Sequence, residues 1–260
     1  VPTEPAYYNL IKENLESDLR IDVKDADAVF STINEIQPDF VFHLAAQPIV
    51  LESYKNPLNT FNTNVMGTGN VLDALRRSNH KCTAIMITSD KAYDNVEWVW
   101  GYRETDRLGG KDPYSASKGR AELAIRSYIE SFFNGSDSNV RVGITRAGNV
   151  IGGGDWAVDR IVPDCMSAWS QEERVDIRSP WATRPWQHVL EPLSGYLLLG
   201  ANLAQGADCH GEAYNFGPPA HQNHSVNELI DEMAKHWERV RWNDISQDQE
   251  HPHEECLLKL

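Results

Sequence analysis

Asp39-Phe40-Val41-Phe42-His43-Leu44 is a short apolar run that reads as a buried strand. Working outward, Thr83-Ala84-Ile85-Met86-Ile87-Thr88 reads as the next strand and Arg141-Val142-Gly143-Ile144-Thr145-Arg146 as a third. Helical stretches lie between them. One runs from Asp25 to Ile36, with Asp25 as the N-cap and Val29, Ile33 and Ile36 on one face. A longer one spans Pro57 to Arg77, and another spans Pro113 to Phe133. Short apolar strands alternating with amphipathic helices predict an α/β fold with a doubly wound parallel sheet.

Past Ile151 the pattern loosens. Helices are expected over Asp159–Ser170, Leu190–Leu203 and Ser225–Trp237, the last capped by Ser225, and strands over Arg174–Ile177 and Ala213–Phe216. Residues 1–150 are expected to form a dinucleotide-binding domain. Residues 151–260 should form mostly a smaller substrate-binding lobe, with some segments returning to the sheet.

The chain has 260 residues, 41% of them hydrophobic and 24% charged, which is the balance of a soluble globular protein. No apolar run approaches the roughly 20 residues of a membrane span, and no signal peptide opens the chain. A formal net charge of −14 supplies no basic footprint for nucleic acid or an anionic membrane. Cys82, Cys165, Cys209 and Cys256 are far apart, which suits a reduced, cytoplasmic setting. His251-Pro252-His253 has neither cysteine nor helical spacing to support a metal site, and no metal is expected.

Tyr114-Ser115-Ala116-Ser117-Lys118 places a phenol and an ammonium at i and i+4, on one helix face. The ammonium favours the phenolate and should bring the Tyr pKa down from about 10, making a general base for a hydroxyl proton. Alone, such a pair is common on exposed helices, and its surroundings decide. A dinucleotide-binding sheet should also open with a strand, a Gly-rich turn and a helix. No such turn occurs near Val1, and Gly152-Gly153-Gly154 follows the wrong strand. The first βα unit is therefore expected to be absent, the chain a fragment cut at both ends, and NAD binding by residues 1–260 alone poor.

Six segments in order resemble the nucleotide-sugar 4,6-dehydratases of the extended short-chain dehydrogenase/reductase family. They are Val41–Gln47 (VFHLAAQ), Asn62–Thr68 (NTNVMGT), Thr88–Tyr93 (TSDKAY), the Tyr114/Lys118 motif, Arg146–Trp156 (RAGNVIGGGDW) and Arg184–Val189 (RPWQHV). The resemblance covers essentially the whole chain and is strongest to the branch acting on CDP-glucose, which serves dideoxysugar (O-antigen) synthesis. It implies a Rossmann-like fold, NAD as cofactor and a CDP-sugar as substrate. It also implies a homodimer or homotetramer through the helices at 57–77 and 113–133.

The resemblance also implies roles. Tyr114 takes the O4 proton, Lys118 supports it and holds the nicotinamide ribose, and Ser89 aims O4. Asp90 is the acid at O6, with a raised pKa. Lys91 is the base at C5 and must be neutral, standing where the dTDP-glucose and GDP-mannose branches carry Glu. Asp22 and Val23, after an early strand (Leu19–Val23), Leu44, Ala45, Ala46 and Gln47 at a strand end, and Thr63 and Thr88 are expected to touch the cofactor. Arg184, helped by Arg160 and Asn149, should hold the substrate diphosphate, with His188 and His253 on the substrate side. Arg178 reads as a solvated residue. Trp98-Val99-Trp100-Gly101-Tyr102 either covers the sugar or packs as a loop. Rival readings are a dehydratase or epimerase for another nucleotide sugar, against which Asp90-Lys91 argues for the epimerase case, and a non-catalytic protein that keeps the fold.

Overall fold

The computed structural model describes residues 3–247 and 256–260. After a helical turn, α1 (Tyr8–Ile11), and a 3-10 turn at Lys12–Asn14, the chain runs without regular structure to α2 (Ala26–Ile36). The expected strand over Leu19–Val23 does not form. No neighbouring strand pairs with it among the described residues, and Leu19 and Ile21 are exposed. Asp25 does cap α2, accepting from the Ala28 N–H at 3.0 Å. Val29 is buried and Ile33 packs on the core, while Ile36 at the last turn is exposed.

The next strand, β1 (Phe40–His43), leads into α3 (Val50–Lys55) and α4 (Pro57–Phe61). A π-turn at Asn62–Met66 continues α4 into α5 (Gly67–Arg77). Then come β2 (Cys82–Ile87), α6 (Pro113–Tyr128), itself extended by a π-turn at Ile129–Phe133, and β3 (Val140–Ala147). The second half adds β4 (Val150–Ile151), α7 (Ile161–Ser170), β5 (Val175–Ile177), β6 (Thr183–Arg184) and β7 (Gln187–His188). It closes with α8 (Leu190–Ala204), β8 (Ala213–Phe216), β9 (His224–Ser225), α9 (Val226–Ala234) and β10 (Trp242–Asp244).

The main sheet has the order β1-β2-β3-β8, with every pair parallel. Phe40 stands opposite Thr83, Cys82 opposite Val140, and Ile144 opposite Ala213. Alternate residues of β2 feed opposite faces. Ala84 and Met86 meet Leu72, Leu75 and Ile125 from α5 and α6, whereas Ile85 meets Tyr196, Leu199 and Leu203 from α8. Each such fully buried aliphatic side chain contributes roughly 1.5–3 kcal/mol. Gly143 lets α8 come this close, because a Cβ there would lie 2.9 Å from Leu199 and Leu203. The expectation of a buried strand at 39–44 holds for only part of β1. With β2 as its one neighbour among the described residues it is an edge strand, so Phe40 and Leu44 are exposed and only His43 is fully buried.

The later elements split between two tasks. α8 and β8 complete the main sheet. α7, α9 and the parallel pair β5–β10 enclose a separate core of Cys165, Trp169, Val175, Ile177 and Ile230. Because the main strands are parallel, their C-terminal ends share one edge, where the loops after β1, β2 and β3 converge.

Candidate active site

Two local structures aim the central side chains. Asp112 caps α6, accepting from the Ser115 N–H at 3.0 Å, and Pro113 fills the first helical position. Tyr114 and Lys118 follow one turn apart, each only 7% exposed. Across from them, the chain leaves β2 and makes a tight turn at Asp90–Ala92. Ser89 caps that turn, accepting from the Lys91 N–H at 3.2 Å and donating to Asp90 Oδ1 at 3.0 Å. Ser89 and Tyr114 line the same cleft, and the Ser89 hydroxyl pulls the phenol's pKa down. Gly119 allows the close approach, since a Cβ there would sit 2.5 Å from the Gly109 carbonyl oxygen and 3.1 Å from that of Ala92.

The electrostatics differ from the simple expectation for a Tyr/Lys pair. Burial pushes the Tyr114 phenol up to about 12, against the downward pull of Ser89, and the Asp90 carboxylate adds to the rise. Burial also brings the Lys118 ammonium down to about 8, opposed by Glu122. In the protein alone, desolvation outweighs any help from Lys118, so Tyr114 is a neutral phenol at pH 7. Behind Lys118, burial and then the Lys118 charge bring His43 down to about 4. His43 Nε2 lies 3.0 Å from Thr68 Oγ1, whose own proton goes to the Asn64 carbonyl. His43 therefore stands neutral with its proton on Nε2.

The turn after β1 is stapled to α6 by Asn64. Its Oδ1 accepts from the Gln47 N–H at 2.8 Å, and its Nδ2 donates to Ser117 Oγ at 2.8 Å and to the Gln47 carbonyl at 3.1 Å. Nothing in the sequence pattern singled Asn64 out beyond its place in NTNVMGT.

Ser89, Asp90, Lys91 and Tyr114 line a cleft of about 290 Å³. The expected phosphate-side residues Asn149, Arg160 and Arg184 line the same cleft. Arg184 is buried, with Nη1 donating to the Thr183 carbonyl at 2.9 Å, and Arg160 lies 3.5 Å from Asp155. Arg178 corrects the expectation of a solvated residue. It is half-buried in the cleft wall, 3.5 Å from Asp159. The run Val175–Ile177 hides this because it orients Arg178 only through its pairing with the distant β10. Asp164, on the first turn of α7, also lines the cleft, and burial followed by the Asp159 charge raises its carboxyl to about 6.

The other substrate-side expectations fall as follows. His188 is exposed and outside the cleft lining, its Nδ1 accepting from the Leu190 N–H at 3.3 Å at the start of α8. His253 lies outside the described residues, as does His251. The Trp98–Tyr102 insert does not line the cleft. Trp98 packs on Tyr102, Tyr102 stacks on Tyr93, and Trp100 points to solvent.

The expected cofactor residues sit on the sheet edge beside the cleft. Leu44 and Ala45 are exposed there, with Ala46 half-buried, leaving a low wall of small groups. Gln47 and Thr88 have their side chains engaged within the protein. Gln47 Nε2 donates to Thr60 and its Oε1 accepts from the Ile49 N–H, while the Thr88 hydroxyl is held by Glu122 and the Thr145 carbonyl. Thr63 is half-buried in the π-turn. Without an early strand, Asp22 is exposed and binds Lys24, and Val23 packs on Gly67. A dinucleotide fits this edge. Lys118 is a buried ammonium that makes no hydrogen bond among the described residues, one turn from Tyr114, where a ribose can supply acceptors.

The model of the family described as GDP-mannose 4,6 dehydratase matches residues 8–256. The chain belongs to that family. It is 43% identical to the CDP-glucose 4,6-dehydratase of Salmonella typhimurium, in an alignment covering the whole chain and 73% of that protein. Solved structures share the fold. The dTDP-glucose 4,6-dehydratase of Streptomyces venezuelae, with NAD and TYD bound, superposes with a TM-score of 0.77 at 20% identity, over 97% of this chain and 74% of that one. The UDP-glucuronic acid 4-epimerase of Bacillus cereus superposes with a TM-score of 0.80 at 19% identity, over 97% and 76%. Both likenesses bear on the fold.

Proposed function

We propose that the protein is an NAD-dependent hydro-lyase that converts CDP-glucose to CDP-4-keto-6-deoxyglucose with loss of water. The observation that carries this reading is the 43% identity to the Salmonella enzyme over the whole chain. Its chemistry draws on groups that line one cleft. Tyr114 takes the proton from O4, with Ser89 holding that hydroxyl against the phenol. Lys118 holds the nicotinamide ribose beside Tyr114. Bound NAD supplies the acceptor for the C4 hydride and the donor of the hydride that ends on C6. The C4 ketone acidifies C5–H. Lys91, as the neutral amine, takes that proton, and Asp90, as the acid, protonates the departing O6 hydroxyl. Arg184 pairs with the diphosphate, with Arg160, Asn149 and Arg178 beside it; guanidinium forks suit phosphate oxygens.

The division of labour has a direct test. In Lys91→Ala, C4 oxidation should survive in single turnover while exchange of deuterium at C5 with solvent slows strongly. Normal C5 exchange in that variant removes Lys91 from the role.

We further read the protein as a homodimer or homotetramer formed through residues 57–77 and 113–133. Leu58, Met66, Leu123 and Phe132 lie exposed on these helices, at 77%, 57%, 57% and 51%. No helix among the described residues is long and apolar enough to cross a membrane. We place the protein in the cytoplasm, serving dideoxysugar synthesis; its free cysteines suit a reducing compartment.

A further inference from the structure

Glu122 lies on α6 one turn beyond Lys118 and two beyond Tyr114. Its side chain and that of Arg146 on β3 are fully buried. They form a two-pronged ion pair. Arg146 Nε donates to Glu122 Oε1 at 2.7 Å, and Nη2 donates to Oε2. The Thr88 hydroxyl donates to the same Oε1 at 2.6 Å. Arg146 Nη1 donates to the Tyr93 hydroxyl at 2.7 Å and to the Glu104 carbonyl at 3.1 Å. Tyr93 passes the chain on to Asn215 Oδ1 at 2.7 Å, on β8. Three segments that carry the cleft thus meet at one carboxylate: Thr88, which precedes Ser89; α6, which bears Tyr114 and Lys118; and β3, which ends just before Gly148 and Asn149.

Stability alone is a weak reason for this arrangement. Removing two charges from water costs several kcal/mol per ion, and well-packed apolar replacements of buried ion pairs are often equally or more stable. A forked guanidinium–carboxylate contact does fix distance and orientation together. It stands at the point where the spacing between the Ser89 turn and the Tyr114 face is set.

We propose that Glu122 and Arg146, joined by Thr88, are positioning residues that hold the Ser89–Asp90–Lys91 turn in register with Tyr114 and Lys118. The kinetic consequence rests on the reading of Tyr114 as the base; the geometric one does not. A displacement of about 1 Å in such a site costs on the order of 100-fold in rate.

The test uses the intact protein in three forms. Thr88→Val removes only the hydroxyl link, Thr88→Ser restores it, and Glu122→Leu/Arg146→Met replaces the ion pair by apolar groups. The Val variant should melt within about 5 °C of wild type, with kcat lowered at least about tenfold and KM within about twofold. Thr88→Ser should recover kcat. Crystal structures of the Val and double variants should show the Ser89–Asp90–Lys91 turn shifted relative to Tyr114 and Lys118. An unchanged distance from Ser89 Oγ to Tyr114 Oη in both variants overturns the proposal whatever the rates, and so does a wild-type kcat in a folded Val variant. If the double variant does not fold, Thr88→Val decides. If the wild type turns over no nucleotide sugar, the crystallographic comparison still decides.

Discussion

Tyr114 faces opposing demands. Burial favours its neutral form, at about 12, while the proposed chemistry needs it to accept a proton near neutrality. A cationic ring bound alongside works against that rise, so addition of oxidised NAD should lower the Tyr114 titration, read from phenolate absorbance with Tyr114→Phe as the blank. An unmoved titration would contradict the assignment. Tyr114→Phe itself should lower turnover about 100-fold to 10,000-fold with little change in melting temperature. Lys118 makes a prediction of opposite sense. Its folded pKa, about 8, lies below the ordinary 10.5, so the unfolded chain holds the extra proton between those values and stability rises with pH across that window. The penalty for burying the charge is full below about pH 8 and gone above 10.5, and it amounts to roughly 3 kcal/mol. Lys118→Met should therefore unfold at higher denaturant than wild type at pH 7, with the gap closing toward pH 10.5. A gap independent of pH would show that the ammonium is not desolvated.

At the scale of elements, α6 is where sequence and structure are most tightly joined. Its start was legible from Pro113, and its active face from the Tyr114/Lys118 spacing. Gly119 was not, because the demand comes from the Gly109 and Ala92 carbonyls in loops remote in sequence. In an open helix a Gly→Ala change stabilises by about 1 kcal/mol. Here Gly119→Ala should instead destabilise by about 1–3 kcal/mol and lower turnover, because the new methyl meets backbone. Chemical denaturation checks the sign. The same contrast runs through the other elements. β2, β3 and β8 were legible because their mostly apolar runs feed the cores on both faces of the sheet. Leu19–Val23 misled because β character in a sequence gives a strand only where a neighbour supplies hydrogen bonds. Arg178 was missed because the β5–β10 pairing that turns it into the cleft joins residues 175–177 to 242–244.

Over the whole molecule, one cleft collects residues from Pro48 to Arg184, and this is why motifs far apart in sequence could be assigned to one site before their geometry was known. His188 was misplaced from sequence: it lies outside the cleft lining. Local hydrogen bonding at the start of α8 claimed that ring. The exposed helix surface leads to a further expectation: Leu58→Arg/Leu123→Arg should sediment as a folded monomer where wild type sediments as a dimer or tetramer. The central claim is the fate of the C4 hydride. The intact protein, with NAD and CDP-glucose deuterated at C4, should give a 4-keto-6-deoxy product with that deuterium on C6 and solvent hydrogen at C5, seen by NMR and mass spectrometry. Deuterium returned to C4 of a C4 epimer, or retained on the reduced cofactor with no loss of water, would contradict the account.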